Sequence, residues 1–481
     1  MTGTAHPSRM HWLPFIVAAT FFMEYLDTTI IATALPQMAQ AFNVGPNELS
    51  LGMTAYMLTL AVFIPISGWV ADRLGSRTVF AAAIVIFTLA SVLCGLSGSV
   101  FEFTAARILQ GMGGALMVPV GRMIVVRNTS KDKLMQAIST ITWPAIVAPV
   151  VGPSLGGFIT TYFSWHWIFL INVPFGIAAL TAVLMLVPNE RSEQKRPLDM
   201  VGFFLSGLAL SSLLYGTELA SHSEVRLTEA ILFIITGIVL GLLSYRHGMR
   251  RPHPLLDYST LQVKTFSVTV VTGSLTRIGI EAVPYLLPLL FQIGFGFSAF
   301  HSGLLLLASA FGNLGMKMFT TRVLKRFGFR RVSLINAVIA GVFVLACGLL
   351  QPSTPVLLVL LTIFIYGTAR SMQFSTLATL AYADVSETQK SAASTLWSVA
   401  QQMTIGMGIA FGALGLRLAS YFNGANTYAD GVSHFTVPDF QWAFVMAGVL
   451  ILLSAFGYRG LTKDAGSNLG GGVRSARSTN R

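Results

Sequence analysis

Residues 73–97 read RLGSRTVFAAAIVIFTLASVLCGLS, a short basic loop followed by a long run without a charge. At 1.5 Å of rise per residue that run is long enough, as a helix, to cross the roughly 30 Å hydrocarbon core of a bilayer. The pattern recurs. RFGFR at 326–330 repeats RLGSR at 73–77, and the same offset of 253 residues carries Cys94-Gly95-Leu96 onto Cys347-Gly348-Leu349. Both copies lie on a basic loop and the helix after it, with the same orientation. The simplest account is two six-helix halves in parallel, an arrangement found in transporters. Chance similarity between basic loops is the alternative.

The rest of the 481-residue chain is of the same kind. Hydrophobic residues make up 54% and charged residues 10%, against about 25% charged in soluble domains. Lipid is the solvent such a surface requires. About fourteen apolar runs, from 13–36 to 440–459, each approach the ~20 residues of a spanning helix; 49–70 and 134–160 are among them. The expected fold is an all-α membrane protein. Residues 1–190 form an N-terminal six-helix half, and 253–463 a C-terminal one. Between them 191–252 holds two inserted helices, which have no counterpart in the repeat. A basic, Gly/Ser-rich tail at 464–481 is expected to be disordered. Glu24 and Asp27 inside the first run argue against a cleaved leader.

The net charge of +12 is no nucleic-acid footprint, because the basic residues form no patch and no basic-aromatic module is visible. Arg73 and Arg77, then Arg127, Lys131 and Lys133, then Arg322, Lys325, Arg326, Arg330 and Arg331 fall in loops of one side. The opposite loops hold only Arg226 and Arg417. The positive-inside rule places the richer side, and with it both termini, in the cytoplasm. Cys94 and Cys347 sit singly in apolar runs and the histidines show no ligand spacing. No disulfide framework and no metal site is expected.

Charges within the membrane are the informative residues, since each costs several kcal/mol (about 2.5 or more) unless paired or wet. Glu24 and Asp27 are three apart and share a helix face. Asp27 lies about 13 Å from the outer end of its helix and Arg107 about 9 Å from the same surface, so the two sit at similar depth. Asp27 is a candidate proton-binding residue with Arg107 coupled to it; a static ion pair joining two helices is the other reading. Arg277 and Glu281 are four apart on one face. They are either an internal pair or, with Glu281 facing a cavity, an attractor for cationic substrate, a role for which Glu24 is the other candidate. Arg370 is a cavity or a packing residue. Arg122 and Lys317, near cytoplasmic ends, are expected to snorkel. Tyr56, Trp143, Tyr285 and Phe291 are candidate aromatic contacts for an organic cation, although aromatics in membrane helices also serve packing alone. The helix around Pro149, Gly152, Pro153, Gly156 and Gly157 is built to bend or to pack closely.

These residues carry a family resemblance over nearly the whole chain. GWVADRLGSR at 68–77, LDTTIIATALP at 26–36, RILQGMGGA at 107–115, PVVGPSLGG at 149–157 and SWHWIFLINVPFG at 164–176 resemble the motifs of the major facilitator superfamily. The resemblance is to its fourteen-helix drug/proton antiporter branch (the EmrB/QacA type), and within it to MdtD-like members. It implies that fold, a proton-coupling role for Asp27 and Arg107, and a cytoplasmic gate latch formed by Gly68, Asp72, Arg73, Gly75 and Arg77. On chemical grounds Asp72 could pair with Arg77 or cap a helix N-terminus. Ala148 stands where the antiporter motif usually has glycine, and Lys325 where the second copy would align with Asp72.

The expected function is proton-coupled export of small amphipathic compounds, cationic or of many kinds, by rocking of the two halves. The proton gradient supplies the energy and no cofactor is needed, since no phosphate-binding loop is present. The expected partners are the lipid bilayer, protons and a small-molecule substrate, with no nucleic acid. The expected location is a bacterial inner membrane, and the resemblance implies a monomer. The rival transporter reading is a dedicated exporter of one metabolite, such as a sugar or a siderophore. A membrane enzyme would need a clustered acid, base or nucleophile, and a sensor a signalling domain; neither is visible.

Overall fold

The computed structural model describes residues 12–31, 34–44, 46–189, 197–221, 227–297, 299–423 and 435–466. Arg226 and nearly all of the expected tail, 467–481, lie outside them. A chain in lipid must satisfy its backbone internally, and the apolar runs do so as helices. In chain order these are α1 (Leu13–Ile30), α2 (Leu35–Phe42), α3 (Pro46–Phe63), α4 (Ser67–Leu74), α5 (Ser76–Leu96), α6 (Val100–Asn128), α7 (Lys131–Thr142), α8 (Pro144–Tyr162) and α9 (His166–Leu170). There follow α10 (Asn172–Leu186), α11 (Met200–Ser221), α12 (Leu227–Arg250), α13 (Lys264–Leu289), α14 (Ala299–Phe327), α15 (Phe329–Gly348), α16 (Val356–Leu380), α17 (Lys390–Phe422) and α18 (Val437–Gly457). No strand occurs among the described residues.

Thirteen segments among the described residues are long and apolar enough to cross a membrane. The protein is a multi-pass membrane protein. The expected span 134–160 is not one helix. It divides at Trp143, because Pro144 has no N–H to continue a ladder and instead opens α8 as its first residue. α8 is a further long helix beside those thirteen. Its partner is α1, against which it packs. The expected span 49–70 is likewise interrupted, by a 3₁₀ turn at Ile64–Ile66 around Pro65.

The chain forms two compact units. One comprises Met1–Asn128, Thr140–Ser259 and Thr388–Ala410; the other Thr129–Ser139, Thr260–Glu387 and Phe411–Arg481. The pair α11–α12 belongs to the first unit, where α11 packs on α3 and Thr54 donates a 2.6 Å hydrogen bond to Glu218. One core of the first unit gathers Ile30, Met38, Phe103, Ile168 and Phe169. That of the second gathers Leu286, Phe291, Val344, Ile363 and Phe444.

The repeated basic loop has a structural counterpart. Gly75 ends α4 and precedes α5 with φ +100°, and Gly328 separates α14 from α15 with φ +77°. The two glycines stand 253 positions apart, and both adopt backbone that an L side chain resists. The Gly75 turn is also crowded, with the Asn189 amide lying where a Cβ would be. Open space surrounds Gly328.

Candidate functional site

In the first unit the buried polar centre is built on α1, which packs against α6, α8 and α10. Gly152 of α8 allows the closest approach, because a Cβ there would collide with the Thr29 hydroxyl. Thr29 also donates to the Ala148 carbonyl at 3.3 Å. Gly156 accepts from Thr160 through its carbonyl, whereas the space beside Gly157 is open. Pro153 lies on the same helix.

Asp27 and Arg107, expected at similar depth, are in contact: the Arg107 guanidinium donates to Asp27 Oδ2 at 2.6 Å, and both side chains are fully buried. The other carboxylate oxygen accepts from Gln110 Nε2 at 2.9 Å and Asn172 Nδ2 at 3.0 Å. Gln110 Oε1 accepts from Arg107 at 2.6 Å, and Ser91 Oγ accepts from both amides. The Arg107 guanidinium lies 4.1 Å from the centroid of the Tyr56 ring, a cation–π contact strengthened by the burial of both side chains. Three donors thus converge on one buried carboxylate. Sequence reading missed Gln110, Asn172 and Ser91. Gln110 was visible as the residue three after Arg107 on the same face, but nothing in the sequence brings Asn172 or Ser91 to Asp27.

Glu24 lies one turn before Asp27 and is also buried, yet its Oε2 has no hydrogen-bond partner among the described residues. The Tyr56 hydroxyl beside it is likewise unpartnered. Gly114 leaves room next to both, since a Cβ there would meet Tyr56 Oη at 3.1 Å and Glu24 Oε1 at 3.4 Å. Phe22 and Trp143 form an aromatic pair at 6.3 Å, with Trp143 39% exposed.

The second unit holds the other charges. Glu281 on α13 accepts from Arg370 of α16 at 3.0 Å and lies 3.7 Å from Arg277, four residues earlier. Both arginines flank the Phe374 ring, at 4.1 and 5.4 Å. Arg370, expected as a cavity or a packing residue, pairs with Glu281 while part of its side chain stays exposed. Pro284 leaves the Ile280 carbonyl without its helical donor, and the Tyr366 hydroxyl supplies one at 2.9 Å. Tyr285 packs against the core of this unit. Phe291 is fully buried in that core against Phe295 and Phe297. The reading of Phe291 as a substrate contact is therefore corrected to core packing, because no surface of its ring is open.

Two further expectations change. Arg122 does not snorkel; it is buried and donates to Ser398 Oγ at 3.1 Å. Lys317 turns to α16, where Nζ donates to Ser375 Oγ at 2.8 Å. In each case a hydroxyl on a neighbouring helix takes a hydrogen bond from the charged group.

Among the latch residues, Asp72 pairs with Arg127 at the end of α6, at 2.9 Å, rather than with Arg77. Arg73 lies over Trp69. Gly68 faces α17, and a Cβ on it would meet Thr395 Oγ1 at 2.5 Å and Ser391 Oγ at 3.2 Å. At the same end Lys390 Nζ donates to the Val126 carbonyl at 3.0 Å, and Ser394 to that of Pro119.

The sequence profile of the Major Facilitator Superfamily matches residues 17–408. The chain is 35% identical over 456 residues to a protein of Pectobacterium carotovorum subsp. carotovorum (strain PC1) described as "Putative multidrug resistance protein MdtD", covering 95% of this chain and 96% of that one. The protein of the same description from Escherichia coli O17:K52:H18 (strain UMN026 / ExPEC) is 36% identical over 470 residues, covering 96% and 97%. Among solved structures, the human organic anion transporter MFSD10 (TETRAN) superposes with a TM-score of 0.63 at 17% identity, covering 94% of this chain and 100% of that one. The proton:xylose symporter XylE does so with 0.62 at 15%, covering 93% and 95%. At such identities these two likenesses establish the fold alone.

Proposed function

The chain belongs to the major facilitator superfamily, whose members are transporters rather than enzymes, and from that premise we propose that it is a proton-coupled antiporter exporting small amphipathic compounds. The observation that carries the proposal is the buried Asp27–Arg107 pair with the unpartnered Glu24 oxygen one turn away. A carboxylate bound by an arginine and two amides exchanges those donors for a proton. Arg107, released, is then free to take new contacts, and this ties protonation to conformation. Each ligand shifts the balance between states only by its differential affinity for them. Relatives described as multidrug resistance proteins support drug export.

Glu24, Trp143 and Phe22 suit the cationic, aromatic-binding part of an amphipathic substrate, whereas Tyr56, buried like Phe291, already carries Arg107 on its ring. Glu281 suits it less well, because two arginines already compensate its charge. Gly68, Asp72, Arg73, Gly75 and Arg77 act in the gate, where contacts of Lys390, Arg122 and Ser394 with neutral oxygens can be broken without stranding a carboxylate. The protein sits in a bacterial inner membrane as a monomer, with both termini cytoplasmic, the side on which its loop lysines and arginines concentrate. The excess of arginine in the second unit favours a second reading, a dedicated exporter of one metabolite that bears an anionic group.

The test is gradient-driven ethidium transport in oriented proteoliposomes, comparing wild type with Asp27→Asn. Gradient-dependent transport that the variant loses while still binding dye supports the proposal. Equal transport by both moves the proton role to Glu24 or Glu281. Failure of wild type to move dye favours the single-metabolite reading.

A further inference from the structure

The inserted helices carry a feature that proton coupling does not use. Between the start of α11 and the end of α12 lies a cavity of about 530 Å³, lined by Leu205, Leu243, Arg246, His247, Arg250 and Arg251. Its frame is rigid. Asp199, one residue before α11, accepts from the Gly202 N–H at 3.0 Å, from His247 Nε2 at 2.9 Å and from the Leu255 N–H at 3.3 Å. One carboxylate therefore fastens the first turn of α11, the last turns of α12 and the segment after them. That segment folds back so that Tyr258 covers Gly248, where a Cβ would meet the ring at 2.7 Å, and Tyr258 Oη lies 3.3 Å from Ser244 Oγ.

Asp199 is thus committed to His247, and no ion pair involves Arg246, Arg250 or Arg251 among the described residues. All three are exposed. The apolar floor, Leu205 and Leu243, continues along the helices into a run of exposed side chains: Phe204 and Leu208 on α11, and Ile235, Val239 and Leu242 on α12. A cluster of cations at the mouth and a hydrocarbon track leading from it match a molecule with an anionic head and an acyl tail. A free phosphate would use the arginines alone, whereas a lipid would use both the arginines and the exposed apolar faces beside them. The cluster also lies on the side of the membrane where the loops are richest in Lys and Arg, and there anionic headgroups attract basic residues.

We propose that this cavity binds the headgroup of an anionic phospholipid, with its acyl chains along the exposed faces of α11 and α12. The site is separate from the transport reading and stands or falls independently of it.

Native mass spectrometry of the purified full-length protein, titrated with cardiolipin, phosphatidylglycerol or phosphatidylcholine, tests the proposal. Wild type should retain the two anionic lipids in preference to phosphatidylcholine. The variant Arg246→Gln/Arg250→Gln/Arg251→Gln should weaken that retention by about fivefold per arginine removed. Arg322→Gln/Arg326→Gln, at the end of α14, should leave it unchanged. Leu243→Trp, which fills the floor without altering charge, should also lower retention, and unchanged thermal unfolding of each variant excludes misfolding as the cause. Equal retention by the triple variant, equal loss in the control variant, or no preference over phosphatidylcholine would overturn the proposal. Displacement of the lipid by inorganic phosphate at equal concentration would overturn it in favour of a free-anion site.

Discussion

Each unit places a carboxylate of its first long helix against an arginine of its fourth, Asp27 with Arg107 and Glu281 with Arg370, yet the two clusters are not equivalent. Around Asp27 two neutral amides complete the shell, and the extra charge nearby is a second carboxylate, Glu24. Around Glu281 the extra charge is a second arginine, Arg277. The first cluster has one formal negative charge too many and the second one positive charge too many. The first is sealed from solvent, whereas the Arg370 side chain is 26% exposed. The helical framework leaves these charges free to differ, because it rests on apolar packing and close helix contacts rather than on the ion pairs.

The largest expected effect comes from Arg107→Ala. It strands a buried carboxylate, which typically costs about 3–5 kcal/mol, so thermal unfolding of purified protein should show a large loss and transport should vanish. Adding Asp27→Asn should restore most of the stability and none of the coupling. If Arg107→Ala unfolds like wild type, the sealed character of the first cluster is wrong.

The paired turns sharpen the comparison next. Gly75→Ala and Gly328→Ala each force an alanine into backbone that is nearly glycine-only, at about 1–3 kcal/mol. Gly75→Ala should sit at the upper end because Asn189 occupies the space, and Gly328→Ala at the lower, as read by denaturant unfolding. Equal losses would show that backbone strain alone sets the cost.

In the second cluster Arg370→Gln should destabilise by about 1 kcal/mol, since part of the pair is exposed. Arg277→Gln, at the longer distance, should cost less. The reverse order in thermal unfolding would make Arg277 the true partner of Glu281.

The smallest effect belongs to Asp199, a carboxylate outside both clusters. Burial would raise its pKa, but the hydrogen bonds from Gly202, His247 and Leu255 outweigh that and hold it below the ordinary carboxylate range. Its contribution is therefore full above about pH 4, the ordinary value, and is lost as pH falls through the lowered one. Asp199→Asn should trail wild type by up to about 1 kcal/mol at neutral pH, and the gap should close on acidification.

Much of this was legible before any coordinates. Hydropathy and length located the helices, with 440–459 expected and Val437–Gly457 found. Depth counting from the helix ends brought Asp27 beside Arg107. The RLGSR and RFGFR copies led to two glycines of the same unusual backbone. Asn172 and Ser91 were not legible, because a polar residue in an apolar run has the same hydropathy whichever way its helix is turned. Arg122 and Lys317 were misread for that reason. Snorkelling assumes lipid around the side chain, and Ser398 and Ser375 are there instead.

Composition and periodicity along the chain decide that a segment leaves water and becomes a helix, because that free energy is a sum over its own residues. The alternation of basic loops decides sidedness in the same additive way. Which side chains meet depends on the rotation and closeness of helices far apart in sequence. The Asp72–Arg127 pair, the donation by Tyr366 to a carbonyl that Pro284 had orphaned, and the packing of α11 on α3 appear only once those helices are assembled.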